Sequence, residues 1–339
     1  MTKIPEPINS LSALIDKAHE SKPDLPRPHM GASMIGHPCR RKLWLSFRWA
    51  VVEKFPGRIL RLFRRGHHEE EWIVSDLRAA GVEILDKDPD TGRQWLIKDG
   101  HFGGSLDGVA LSGIPEAPNK PHVLEAKTHS LKSFKDMVKK GVKESKPIHW
   151  AQMQIYMAGL DIDRALYYAV CKDTDEIYTE RVELKKTEAK ELNEKAQSII
   201  ASDRMPEPLS ADPSWFECKF CSSHDLCFGS KTTKEVNCRT CAHSTAKRDG
   251  TWHCGRWNSE IPAVEFQRAG CEDHVMHPDL VPWALVGGDG TAADYSHNGK
   301  DFRNGAGGFK SRELLANFDG CMDQNVQAIR QKFDGEIKC

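Results

Sequence analysis

The chain has no surplus of charge of either sign: 48 lysines and arginines stand against 49 acids in 339 residues, a formal net charge of -1. There is no global electrostatic pull toward nucleic acid, so any such binding must rest on local basic patches. No apolar run approaches the about 18 residues of a membrane span, and no membrane partner is expected. Met1 to Pro7 is polar and proline-containing, without the apolar core of a signal peptide, so a cytoplasmic protein is expected. No Gly-x4-Gly-Lys-Ser/Thr loop is present, which excludes an ATP motor of that type and leaves room for a helicase or recombinase partner. The glycine fingerprint of flavin and nicotinamide sites is also missing, which weighs against an electron carrier. No internal repeat is visible.

What is present suits a packed protein: 39% hydrophobic and 29% charged residues. At roughly 100–200 residues per domain, the length fits two domains or one elaborated one. The 11 cysteines, in a reducing cytosol, point to metal ligands rather than disulfides.

Hydrophobic periodicity predicts amphipathic helices over 8–21 (Leu11, Leu14, Ile15 and Ala18 on one stripe), 40–48 and 58–80, the last stopped by Gly81. Short β-rich runs follow at 82–85, 94–97, 102–111 and 123–127. Helices at 131–141 and 148–160, a strand pair at 166–171 and 177–184, and a charged helix at 187–202 complete this part. The order predicts an α/β fold, a mixed central sheet flanked by helices, with a small Cys-rich metal-binding module on its C-terminal side. The expected domains are an N-terminal helix and linker (1–32), a core (33–230), a cysteine module (231–283) and a Gly- and Asn-rich tail with a terminal helix at 311–333 (284–339).

The strongest chemical signal is a set of acids with one lysine. Gly103-Gly104-Ser105-Leu106-Asp107 places an acid in a strand that opens on two glycines, which permit close backbone approach. In Leu124-Glu125-Ala126-Lys127, strand alternation puts Glu125 and Lys127 on one face and Ala126 on the other. Two acids on neighbouring strands beside a lysine make a site for a hard divalent cation with a positive group at its edge. Upstream lies Arg64-Arg65-Gly66-His67-His68-Glu69-Glu70. Downstream, Gln152 and Tyr156 share a helix face; a tyrosine there can also pack in the core with a wet tip.

Together, the helix acid after Gly66, Gly-Gly-x-x-Asp, Leu-Glu-x-Lys and Gln-x3-Tyr resemble the PD-(D/E)XK nuclease superfamily in its RecB-like branch, over roughly residues 33–228. The resemblance implies that Asp107, Glu125 and the Ala126 carbonyl bind Mg²⁺ or Mn²⁺. It implies a further ligand four residues after the helix glycine, Glu70 here; this position is histidine in much of the branch and glutamate in phage YqaJ-type exonucleases. His67, His68 and Glu69 crowd the same place. Lys127 would serve the attacking water, and Gln152 and Tyr156 would support the site and touch the DNA strand. The implied activity is phosphodiester hydrolysis on DNA, by an exonuclease at strand ends, in phage or bacterial recombination, replication or repair. A catalytically silent nucleic-acid-binding metalloprotein and an endonuclease of the same fold are the alternatives.

Two cysteine sets follow. Cys218-x2-Cys221-x5-Cys227 needs a fourth ligand, for which Cys39 is the candidate and His224 a reserve. One cysteine before the core and a triplet after it resemble the iron–sulfur nucleases, such as AddB and the CRISPR-associated exonuclease, which implies a [4Fe–4S] cluster; zinc is the rival. Cys238-x2-Cys241-x12-Cys254-x16-Cys271 has the spacing of a structural zinc site, with His253 and His274 as alternatives and Trp252, Trp257 and Trp283 expected around it. Cys171 reads as a core residue; Cys321 and Cys339 sit outside any metal spacing. Arg40, Arg41, Lys42, Arg61, Arg64 and Arg65 are the expected DNA-binding residues, and lysines 132, 135, 139, 140 and 143 form a further basic run.

Overall fold

A computed structural model describes residues 10–22, 25–229, 231–333 and 335–336. Met1–Pro7 and Cys339 lie outside the described residues.

The fold is α/β, with a five-stranded mixed sheet in the order Glu83–Leu85, Gly108–Ser112, His122–His129, Arg164–Cys171, Ile177–Glu183. Among the described strands of this sheet, only His122–His129 and Arg164–Cys171 run parallel. A parallel pair needs a crossover, and the helices Leu131–Ser145 and Pro147–Leu160 supply it. Gly141, at φ 76°, kinks the first of them where the sequence pattern breaks.

Both central strands are buried along nearly their whole length, because helices cover both faces. On one face Leu124, Ala126, Leu166 and Tyr168 pack against Ile73, Val74 and Leu77 of the long helix Gly57–Ala79. On the other, Val123, Tyr167 and Ala169 join Leu43, Trp44, Met153 and Ile199 in the main core.

The predicted strand over 102–111 is two strands in two sheets. Phe102–Ser105 lies between Met30–Gly31 and Leu96–Asp99 in a three-stranded sheet, and Gly108–Ser112 belongs to the central one. The chain changes sheets at Leu106–Asp107. The apolar stripe of the first helix, Leu11–Glu20, is also not a core face. Leu11, Leu14 and Ile15 are exposed, and the helix is held through Asp16 to Arg61 and Glu20 to the Gly57 amide.

The 284–310 region, unassigned from sequence, forms an antiparallel meander of Ala284–Asp289, Ala292–His297 and Lys300–Gly305 with its own core around Trp283, Tyr295 and Phe302. The single expected terminal helix is three short ones, Ser311–Ala316, Phe318–Cys321 and Gln324–Phe333, because Asn317 and the 322–323 turn interrupt it. The cysteine segment carries a small sheet of Ser244–Ala246, Trp252–Cys254 and Ser259–Ile261. It shares the main core rather than building one: Trp252, Ile261 and Leu280 are buried there. Trp257 is exposed and Trp283 sits in the meander's core, so the three tryptophans do not surround one centre.

Candidate active site

The pairing of Gly108–Ser112 with His122–His129 stops at Gly108↔Leu124, and the acids collect at the fork beyond it. Asp107 turns its carboxylate there, and Oδ2 accepts the Ala126 N–H at 2.8 Å. Lys127 Nζ lies 2.5 Å from Glu125 Oε1 and 3.5 Å from Asp107 Oδ2, and donates to the Ala126 carbonyl at 3.0 Å.

Glu125 is fully buried; its Oε1 sits against the Lys127 ammonium, and its Oε2 has no hydrogen-bond partner. Burial raises its carboxyl to about 7, the Asp107 charge adds to this, and Lys127 opposes it. Burial also works against the Lys127 charge, but Glu125 and Asp107 overcome that and hold the ammonium firmly protonated. Glu70, on the long helix, feels the same group: burial and then Asp107 raise its carboxyl. His67 and His68 on this helix point into solvent and pair with Glu70 and Glu71 at 3.8 Å each. Among the clustered helix residues, Glu70 is therefore the one facing the fork. It also lines a cleft of about 800 Å³, with Lys42, His67, Thr128 and Lys172 on its walls.

Gln152 and Tyr156 meet as the helix spacing requires, Gln152 Nε2 donating to Tyr156 Oη at 3.3 Å. Both are buried. Tyr156 Oη donates to the Ser105 carbonyl at 2.8 Å, bracing the segment that carries Asp107. This is a supporting position inside the protein, not a surface that meets a strand. The two glycines explain themselves here: a Cβ on Gly104 would lie 2.5 Å from Tyr156 Oη, and one on Gly103 2.2 Å from the Ile97 carbonyl.

Sequence reasoning missed a neighbouring network. Tyr167 Oη is bonded to His129 Nε2 at 2.9 Å and to His149 Nδ1 at 2.8 Å. Burial and then the Lys127 charge hold His149 at about 3, so its imidazole is neutral. Alternation places His129 on the face of Glu125 and Lys127, which was the available signal.

Cys39, Cys218, Cys221 and Cys227 line one small cavity of about 20 Å³. The Lys42 amide donates to Cys39 Sγ at 3.4 Å and Arg41 donates to Cys227 Sγ at 3.4 Å; burial raises the Cys227 thiol and the Arg41 contact opposes that. His224 lies beside them with its ring nitrogens bonded to Asp225 and the Pro213 carbonyl, so it is not turned to the thiols. Cys238, Cys241, Cys254 and Cys271 line a second cavity of about 20 Å³. His274 spends both ring nitrogens on Thr240 and Ser311. His243, unremarked in the sequence, lines that cavity with a buried Nε2 that has no partner. Among the described residues, no three His, Cys, Asp or Glu side chains are drawn to the spacing of one bound ion.

The basic residues divide. Arg40 bonds Ser198, Arg41 bonds the Pro206 and Cys227 carbonyls, Arg61 pairs with Asp16, and Arg65 bonds the Lys172 carbonyl. Arg64 is exposed and Lys42 lines the cleft. In the lysine run, Lys140 pairs with Asp136 and Lys143 with Glu188. Among the described residues, no helix is long and apolar enough to cross a membrane.

No protein-family profile and no curated protein matches the chain. Several solved structures resemble its backbone. LHK-Exo in complex with dAMP matches with a TM-score of 0.39 and 16% identity, over 56% of this chain and 90% of that one. The alkaline exonuclease LHK-Exo from Laribacter hongkongensis matches at 0.35 and 18%, over 52% and 88%. SSO0001 matches at 0.37 and 16%, over 64% and 96%. These values say nothing of activity, which has to be argued from the site.

Proposed function

We propose that the chain is a nuclease that hydrolyses DNA phosphodiester bonds with Mg²⁺ or Mn²⁺, an exonuclease working from strand ends. The observation that carries this reading is Glu125: a buried carboxylate paired with Lys127 through Oε1 and unpartnered at Oε2, beside Asp107 and within the field of Glu70, three acids facing one ammonium. Buried acids in excess of the one ammonium are costly unless a further cation completes the group. The donor set is all oxygen, which suits a hard divalent ion. Asp107, Glu125, Glu70 and the Ala126 carbonyl would hold it. Such an ion lowers the pKa of a water and neutralises phosphate oxygens.

The chain's own contribution is placement. Tyr156 and the two glycines fix the turn that aims Asp107, and the cleft leads a strand to Glu70. Lys127, kept charged by its two acids, orients the water and offsets phosphate charge. Lys42 and Arg64 remain available to phosphates. A helicase or recombinase partner would supply unwound or processed ends. The complete set of acids and lysine favours an active enzyme over a silent binding protein.

The first cysteine set fits a [4Fe–4S] cluster: four thiols around one cavity, with an amide and a guanidinium on two sulfurs. Zinc is the rival occupant. In either case Cys39 is tied to a segment almost 180 residues later, a closure that restricts the unfolded chain. End-labelled single-stranded and duplex DNA, incubated with Mg²⁺ or Mn²⁺, tests the proposal; loss of label with shortening from the ends supports it, and intact DNA under all conditions contradicts it.

A further inference from the structure

We propose that Cys238, Cys241, Cys254 and Cys271 bind one tetrahedral thiophilic ion, of the zinc class, and that this ion fastens a wall of the cleft through Arg239. The first half rests on the cavity. All four thiols line it, together with the buried, unpartnered Nε2 of His243. The Val275 amide donates to Cys241 Sγ at 3.4 Å, the kind of contact that supports a ligating thiolate. Cys254 pairs in register with Ser244, three residues after Cys241, so the small sheet brings one ligand to the cavity that the Cys238–Cys241 turn lines. The backbone already brings the four thiols round one space; binding requires their side chains to turn inward to about 2.3 Å from the ion.

The second half rests on what that turn carries. Arg239 stands between the first two cysteines and is buried, and among the described residues its charged neighbours are Arg268, Arg48 and Cys238 and no carboxylate. Its guanidinium lies 3.7 Å from the Trp49 ring centroid. It donates to the Phe47 carbonyl at 3.1 Å, the Pro28 carbonyl at 2.8 Å and Gln267 Oε1 at 2.9 Å. Neighbours repeat the grip: Arg268 donates to the Pro26 carbonyl at 3.0 Å, and Asn237 to the Trp49 carbonyl at 3.4 Å. Pro26, Arg27, His29, Met30 and Phe47 line the cleft. A buried cation without a counter-charge stays in place only if its backbone is held, and the cysteine turn is what holds it. Loss of the ion therefore frees Arg239 and loosens the 26–31 segment. That this wall guides DNA rests on the function proposed above; the ion and the grip do not.

Elemental analysis of the full chain counts zinc and iron, and limited proteolysis reads the order of 26–31. Affinity for a labelled oligonucleotide is measured with Ca²⁺ replacing Mg²⁺. Beyond the metal of the first cysteine set, one further zinc per chain is expected, or one further iron if these thiols take it, and Cys271→Ser should lose that one ion. Cutting within 26–31 should speed up about tenfold or more, the scale of a lost charged hydrogen bond. Arg239→Met should keep the ion, show the same faster cutting and bind the oligonucleotide about tenfold more weakly. It also covers the case in which Cys271→Ser does not fold. Unchanged metal content in Cys271→Ser overturns the site, and unchanged proteolysis in Arg239→Met overturns the grip. Faster proteolysis in a chain whose wild type binds no oligonucleotide leaves the inference standing and removes the nuclease reading instead.

Discussion

Lys127 holds its ammonium 2.5 Å from Glu125, a carboxylate that solvent does not reach. The pair is the meeting point of two opposing effects: burial disfavours both charges, and each charge favours the other. The outcome is unequal. Lysine stays charged, while the acid is poised near neutrality.

That poise gives a pH dependence with a definite sign. Glu125 is raised from 4.5 to about 7 in the folded chain, first by burial. As pH rises through that window the unfolded chain releases its proton first, so the metal-free folded state loses stability between the two values. The full effect is about 3 kcal/mol, with no slope from this group outside the window. Glu125→Gln cannot ionise and should flatten the loss. Urea unfolding of both proteins at pH 5 and pH 7, with chelator, checks this; parallel pH profiles would count against it. Added Mg²⁺ competes with the same proton, so its apparent affinity should climb across the window.

Gly104 and Tyr156 form a second testable pair. A methyl at Gly104 meets Tyr156 Oη, so Gly104→Ala should cost about 1–3 kcal/mol and displace Asp107. Tyr156→Phe loses the bond to Ser105 and should cost about 1 kcal/mol. Since Phe removes the atom the methyl would strike first, the double variant should lose less than the sum of the two. Strict additivity in denaturant melts would show that the two side chains do not share this space.

For the first cysteine set, Cys39→Ala is the informative variant. The purified wild-type protein should be brown and contain iron. The variant should be bleached, poorer in iron and less resistant to heat. A colourless wild-type protein carrying zinc would assign the rival metal, and unchanged iron in Cys39→Ala would remove that residue from the ligand set.

Much of the central sheet could be read from the sequence because its signals are local. Alternation placed Glu125 and Lys127 on one face, and helical spacing joined Gln152 to Tyr156. What escaped was set by tertiary pairing. Asp107 looks like a strand residue, yet the chain leaves one sheet for another there, since Phe102–Ser105 pairs with Leu96–Asp99 while Gly108–Ser112 pairs with His122–His129. Tyr167 and His149 are remote in sequence and meet only through the crossover. Arg41 reads as a phosphate-binding residue in a basic run, but carbonyls and a thiol occupy it. The 284–305 meander, short in strong β-formers and rich in glycine, gave no clear period-two signal.

The most direct measurement is DNA hydrolysis by the wild-type chain, Asp107→Ala and Lys127→Ala, with Mg²⁺ or Mn²⁺ and with chelator. Wild type should cut only with the ion, and each variant should fall by about a hundredfold or more while keeping its cysteine-bound metal. Undiminished cutting in both variants, or none by the wild type with either ion, would contradict the account.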